Sequence, residues 1–109
     1  MATGTPTIST HVLDVGTGRP AVGVRVRLIR IVAGAEVAVG KEMTDHDGRV
    51  ADLLDGKALE AGDYRLSFDI DEGGFFRAAT FEFRVTDTSR SYHVPLVRAP
   101  YALSTYRGS

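Results

Sequence analysis

A two-residue period runs through most of this chain and constrains the fold more than any other feature. Val22, Val24, Val26 and Leu28 interleave with Arg25, Arg27 and Ile29, and Tyr64, Leu66, Phe68 and Ile70 with Arg65, Ser67 and Asp69. Phe75, Ala79, Phe81, Phe83 and Val85 alternate with Phe76, Ala78, Thr80, Glu82 and Arg84, Arg77 being the exception on the apolar side. Successive side chains of a strand point to opposite faces, so this alternation predicts strands with one buried and one solvated face. Shorter candidates at 8–15, 37–43, 49–54, 92–97 and 102–106 bring the expected number to about eight. Gly16 to Pro20, Asp45-His46-Asp47-Gly48 and Asp71-Glu72-Gly73-Gly74 supply the turns, the last as a hairpin between the two strongest strands. Only 55–61 has room for a helical turn. Two packed antiparallel sheets, an all-β sandwich, are the natural architecture, with a small closed barrel as the alternative.

Size and composition limit what such a sandwich can do. At 109 residues there is room for one domain, expected over 8–109 after a flexible N-terminal segment at 1–7. Thirteen basic and fourteen acidic side chains give a net charge of −1, so no global field favours nucleic acid or an anionic membrane as a partner. Eleven of the basic residues are arginine, which reads as a bias of composition rather than as chemistry. No cysteine is present, excluding disulfides, a thiolate nucleophile and cysteine-ligated zinc. With neither a signal-like start nor a long apolar run, the expectation is a soluble, cytoplasmic chain.

Face parity then picks out candidate chemistry. If Ile8, Thr10 and Val12 face the core, His11 and Leu13 face out. If Tyr92, Val94 and Leu96 face it, His93, Pro95 and Val97 face out. Two histidines on an outer face beside Leu13, Pro95 and Val97 indicate a covered face, such as a subunit interface or pocket. Pro95 has no N–H, so its strand lies at an edge or is distorted there. Asp45-His46-Asp47-Gly48 fails as a calcium loop. With Gly48 in the sixth position, Met43 stands where the first ligand belongs and Leu54 where the bidentate glutamate belongs. It reads as a turn into the strand beginning at Arg49, with His46 solvated. Arg49 fits an ordinary surface cation, although its fork also suits capture of a carboxylate, urea or carbonyl. The three histidines have no metal-ligand spacing, and no metal is expected. The tail from Pro100 to Ser109, with two tyrosines and no acid, reads as docked.

Four segments carry a resemblance: Ser9-Thr10-His11-Val12-Leu13-Asp14, Thr44 to Arg49, Tyr92-His93-Val94-Pro95-Leu96, and the closing Ser104-Thr105-Tyr106-Arg107-Gly108-Ser109. Together they resemble the transthyretin-like family in its 5-hydroxyisourate hydrolase branch, over nearly the whole chain. The resemblance implies an eight-stranded sandwich, dimers through edge strands and a homotetramer, a dimer of dimers through outer sheet faces, leaving a channel. It also implies hydrolysis of 5-hydroxyisourate to 2-oxo-4-hydroxy-4-carboxy-5-ureidoimidazoline in urate breakdown, with no cofactor. By similarity His11, Arg49 and His93 are catalytic, and Ser104, Tyr106 and Ser109 line the substrate site. One histidine would deprotonate water while the other orients it or protonates the departing nitrogen, and Arg49 would clamp the substrate. Two departures stand out. The helix usual after the fifth strand is expected to be missing, and Ser91 stands where the family carries a histidine two residues before His93. The alternative is a non-catalytic carrier or binding module for a small ligand.

Overall fold

The computed structural model describes residues 5–108. Ten strands follow in chain order: β1 (Ile8–Asp14), β2 (Arg19–Pro20), β3 (Arg25–Val32), β4 (Ala35–Met43), β5 (Arg49–Val50), β6 (Gly62–Asp69), β7 (Ala78–Val85), β8 (Tyr92–His93), β9 (Leu96–Ala99) and β10 (Ala102–Thr105). One sheet has the order β4-β3-β6-β7. The other runs β10-β9-β1-β2, with β5 and β8 also paired to β1. The described residues contain no helix. The 55–61 stretch is turn and irregular chain, with Lys57 N–H donating to the Leu54 carbonyl at 3.0 Å.

The period of two does what it predicts. Ile8, Thr10 and Val12 of β1, Val26 and Leu28 of β3, and Tyr64, Leu66 and Phe68 of β6 are all at most 1% exposed and meet between the sheets. Each large apolar side chain buried this way contributes roughly 1.5–3 kcal/mol. Cross-strand aromatics add to the core at the β6–β7 pair, where Tyr64 and Phe83 stack at 5.7 Å and Phe68 meets Phe81 edge-on at 6.2 Å. Thr10, the polar member of the buried β1 row, donates its hydroxyl to the Val94 carbonyl at 2.6 Å and so ties β1 to the segment after β8.

Several details differ from the expectations drawn from the sequence. The strand count rises to ten because the two-residue ladder β2 forms within the expected turn at Gly16 to Pro20 and because 92–97 divides at Val94-Pro95 into β8 and β9, while the strand expected at 49–54 shortens to β5. Proline cannot donate to a ladder, and the Pro95 carbonyl instead accepts the Thr105 hydroxyl at 2.8 Å. Pro95 is also buried within the chain itself, so it does not join the outer face. Strand β1 lies parallel to β8 and β9, an exception in otherwise antiparallel sheets, because the chain reaches them by crossing from the other sheet. Val22 is 64% exposed, since the positive φ of 76° at Gly23 turns the chain before β3 begins. Phe75 is 71% exposed. It belongs to the 70–77 loop, where it packs against Phe76 and Tyr101. The alternation of β7 starts only at Ala78.

Candidate active site

Strand β1 is the organiser of the site. Its buried residues leave Ser9, His11 and Leu13 on the opposite, outer face, each half-buried. On one flank β5 pairs antiparallel with β1, and His11 stands directly opposite Arg49. On another, β8 pairs parallel with β1, and Ser9 stands opposite His93. Cross-strand partners share a face, so His11, Arg49 and His93, separated by up to 82 positions in the chain, converge on the outer side of one sheet. The row continues along β9 and β10, where Leu13 pairs with Val97 and Val97 with Ser104.

The turn before β5 delivers Arg49 to its register. Asp45 Oδ1 accepts the backbone N–H groups of Asp47 at 2.9 Å and Arg49 at 3.0 Å, and these bonds hold its carboxyl below the usual carboxylate range. Gly48 has φ of 75°, and its N–H donates to the Asp45 carbonyl at 2.9 Å. A Cβ there would lie 2.6 Å from the Val12 carbonyl oxygen, so only glycine lets β5 approach β1 this closely. Asp45, His46 and Asp47 form an exposed cluster of potential ligand atoms, but the Asp45 carboxylate already serves the turn.

His93 is the most constrained of the three groups. Its Nδ1 lies 2.9 Å from Ser9 Oγ. Its carbonyl accepts the Gly108 N–H at 2.7 Å, in an isolated antiparallel bridge that docks the tail against β8. A Cβ at residue 108 would come within 2.6 Å of the imidazole Cδ2, so the ring occupies the space that Gly108 leaves. Partial burial, then the positive charge of Arg49, then His11, push the His93 pKa down and favour the neutral imidazole. One residue earlier, Tyr92 turns inward. Its hydroxyl accepts the N–H groups of Thr86 and Asp87 at 3.2 and 3.0 Å, and the Arg107 guanidinium stacks 4.4 Å over its ring.

The profile of the HIUase/Transthyretin family matches residues 8–108. The chain belongs to that family. Among curated members, a 5-hydroxyisourate hydrolase from Deinococcus radiodurans is 44% identical over 117 residues, covering 97% of this chain and 98% of the relative. Among solved structures, the 5-hydroxyisourate hydrolase of Klebsiella pneumoniae superposes with a TM-score of 0.80 at 35% identity, covering 95% of this chain and 94% of that one. Sea bream transthyretin, solved with thyroxine, gives a TM-score of 0.84 at 23% identity over 93% of each chain, which establishes the shared sandwich alone.

Of the family's polar positions singled out in the sequence, His11, Arg49 and His93 come together on one face. Ser104 lies in β10 on the same cross-strand row, exposed, and Tyr106 follows just past the strand, 57% exposed. Ser109 lies outside the described residues. His46 is exposed in its turn, with Nε2 3.3 Å from Asp47 Oδ2. Ser91, the substituted position, points elsewhere and accepts the Thr7 N–H at 3.0 Å. Two residues packed against His93 are not among the candidates drawn from the sequence: Ser9, for which parity with His11 is the available signal, and Gly108, whose approach to His93 no local pattern announces.

Proposed function

We propose that this chain hydrolyses 5-hydroxyisourate to 2-oxo-4-hydroxy-4-carboxy-5-ureidoimidazoline, a step of urate breakdown. The observation that carries the reading is the pairing of β1 with both β5 and β8, which gathers a neutral imidazole, a second imidazole and a guanidinium on one sheet face. The neutral His93 ring takes a proton from water as the water oxygen bonds to the acyl carbon of the cyclic acyl-urea. Arg49 holds the substrate oxygens and offsets the negative charge that gathers on the carbonyl oxygen as that bond forms. The carbon–nitrogen bond then breaks, the proton taken from water passes to the departing nitrogen by way of His11, and the new carboxyl group releases its own proton to solvent, leaving a carboxylate and a ureido group. The scheme uses no cofactor or metal.

The outer face also supports a tetramer. Leu13, Val97, Ala99 and Ala102 form an apolar surface beside Ser104, continuous with the histidines and suited to cover by a second pair of subunits. In a homotetramer of this kind Ser104, Tyr106 and Ser109 would line the wall of a substrate channel. A cytoplasmic location fits this soluble-domain composition. The carrier reading draws on the shared fold alone. The test is ultraviolet decay of freshly generated 5-hydroxyisourate. Purified protein should accelerate it well above the buffer rate, and Arg49→Gln should lower kcat by about two to three orders of magnitude. Decay at the buffer rate would leave the carrier reading in its place.

A further inference from the structure

We propose that Ser9 is a positioning residue for His93: its hydroxyl oxygen accepts the imidazole Nδ1–H, which leaves the ring's lone pair at Nε2, directed out of the sheet face toward substrate. The ring's orientation follows from its two flanks. Nδ1 and Cδ2 both branch from Cγ; Nδ1 lies 2.9 Å from Ser9 Oγ on the β1 side, and Cδ2 sits over Gly108 on the other. Nε2 is therefore the nitrogen that faces away from the backbone. A neutral imidazole carries one N–H, and a serine oxygen has lone pairs to receive it. The opposite arrangement, with Ser9 donating to Nδ1, would put the proton on Nε2 and turn an N–H dipole toward the face that bears the Arg49 cation. A lone pair there is the electrostatically favoured choice, and it is the form able to accept a proton from water.

The strand register makes this contact dependable. Ser9 and His93 are direct partners in the β1–β8 pair, and the Ser9 carbonyl accepts the Val94 N–H at 2.9 Å. Thr10 adds its buried bond to the Val94 carbonyl from the next position of β1. On the N-terminal side the Tyr92 N–H donates to the Thr7 carbonyl at 2.8 Å, so the two strands are pinned on both sides of the residue whose hydroxyl reaches the ring, while the Gly108 bridge closes the opposite flank.

The inference rests on the proposed role of His93, and its test separates the two. Ser9→Ala, Ser9→Thr and His93→Ala are assayed beside the wild type by 5-hydroxyisourate decay, with nitrogen-15 NMR of the imidazoles in the intact protein. Ser9→Ala should lower kcat about tenfold with KM unchanged, and Ser9→Thr should restore it. The wild-type His93 spectrum should show a protonated Nδ1 and a pyridine-like Nε2, with the two tautomers mixed in Ser9→Ala. Wild-type kcat in Ser9→Ala together with a collapsed rate in His93→Ala overturns the positioning role and leaves the role of His93 standing. A wild-type spectrum with the proton on Nε2 does the same. Undiminished activity in His93→Ala overturns both.

Discussion

Gly108→Ala probes how tightly the tail holds the His93 ring. The new Cβ would sit 2.6 Å from Cδ2, 3.2 Å from Cγ and 3.3 Å from Cβ of His93. Carbon atoms in contact prefer roughly 3.5–4.0 Å, so the overlap is about 1 Å. The ring cannot absorb it by sliding, because Ser9 Oγ already stands 2.9 Å from Nδ1 on the other flank. Either the ring swings to another rotamer and loses Ser9, or residues 107–108 retreat and break the 2.7 Å bond from Gly108 N–H to the His93 carbonyl. Each route loses one hydrogen bond, about 1 kcal/mol, and adds packing strain of roughly 1–3 kcal/mol. The chemistry is more sensitive still, since misplacing a reacting group by 1 Å costs on the order of a hundredfold. The expected result is a kcat for 5-hydroxyisourate decay reduced at least tenfold, with a Tm lowered by a few degrees in calorimetry. A variant within twofold of wild-type kcat would refute the claim that Gly108 and Ser9 clamp the ring.

Other predictions follow from the same geometry. Because burial, Arg49 and His11 depress the His93 pKa, the free base that the proposed mechanism requires persists to lower pH than an ordinary imidazole would allow. Arg49→Gln should move the acid limb of its residual pH–rate profile upward, and a limb that stays put contradicts the assignment. The same depression gives stability a sign. The unfolded chain binds the proton first, so this contribution is full above the ordinary histidine range and fades as pH falls through it, which thermal melts should follow. Thr10→Val leaves the buried Val94 carbonyl without its 2.6 Å donor and should destabilise by about 1–3 kcal/mol in urea titration. Gly40→Ala would drive a Cβ to 1.9 Å from the Leu53 carbonyl oxygen, and chemical denaturation should show a loss of at least about 2 kcal/mol.

Alternation alone makes the faces of β1 legible in the sequence: Ile8, Thr10 and Val12 turn in, and His11 and Leu13 turn out. Turn chemistry likewise locates Gly48 and the start of β5, and the missing N–H of Pro95 accounts for the break between β8 and β9. Register between distant strands is not legible, because pairings such as His11 with Arg49 are set by packing over the whole sandwich. The resemblance named the three polar residues, while their convergence required the sheet. Ser9 reads as an ordinary outward serine, and only its pairing with His93 gives it a partner. Phe75 misleads for the opposite reason. Its apolar parity continues that of β7, although the eight-residue connection from 70 to 77 ends before the ladder begins.

The central claim is that imidazoles from β1 and β8 act on one substrate as one unit. It is tested most directly by kcat for His11→Ala, His93→Ala and the double variant in the 5-hydroxyisourate decay assay. Groups that work as a unit are strongly non-additive, so the double variant should lose little more than the more damaging single one. A double variant whose loss equals the product of the two single losses would contradict the shared site, as would single variants that turn over at the wild-type rate.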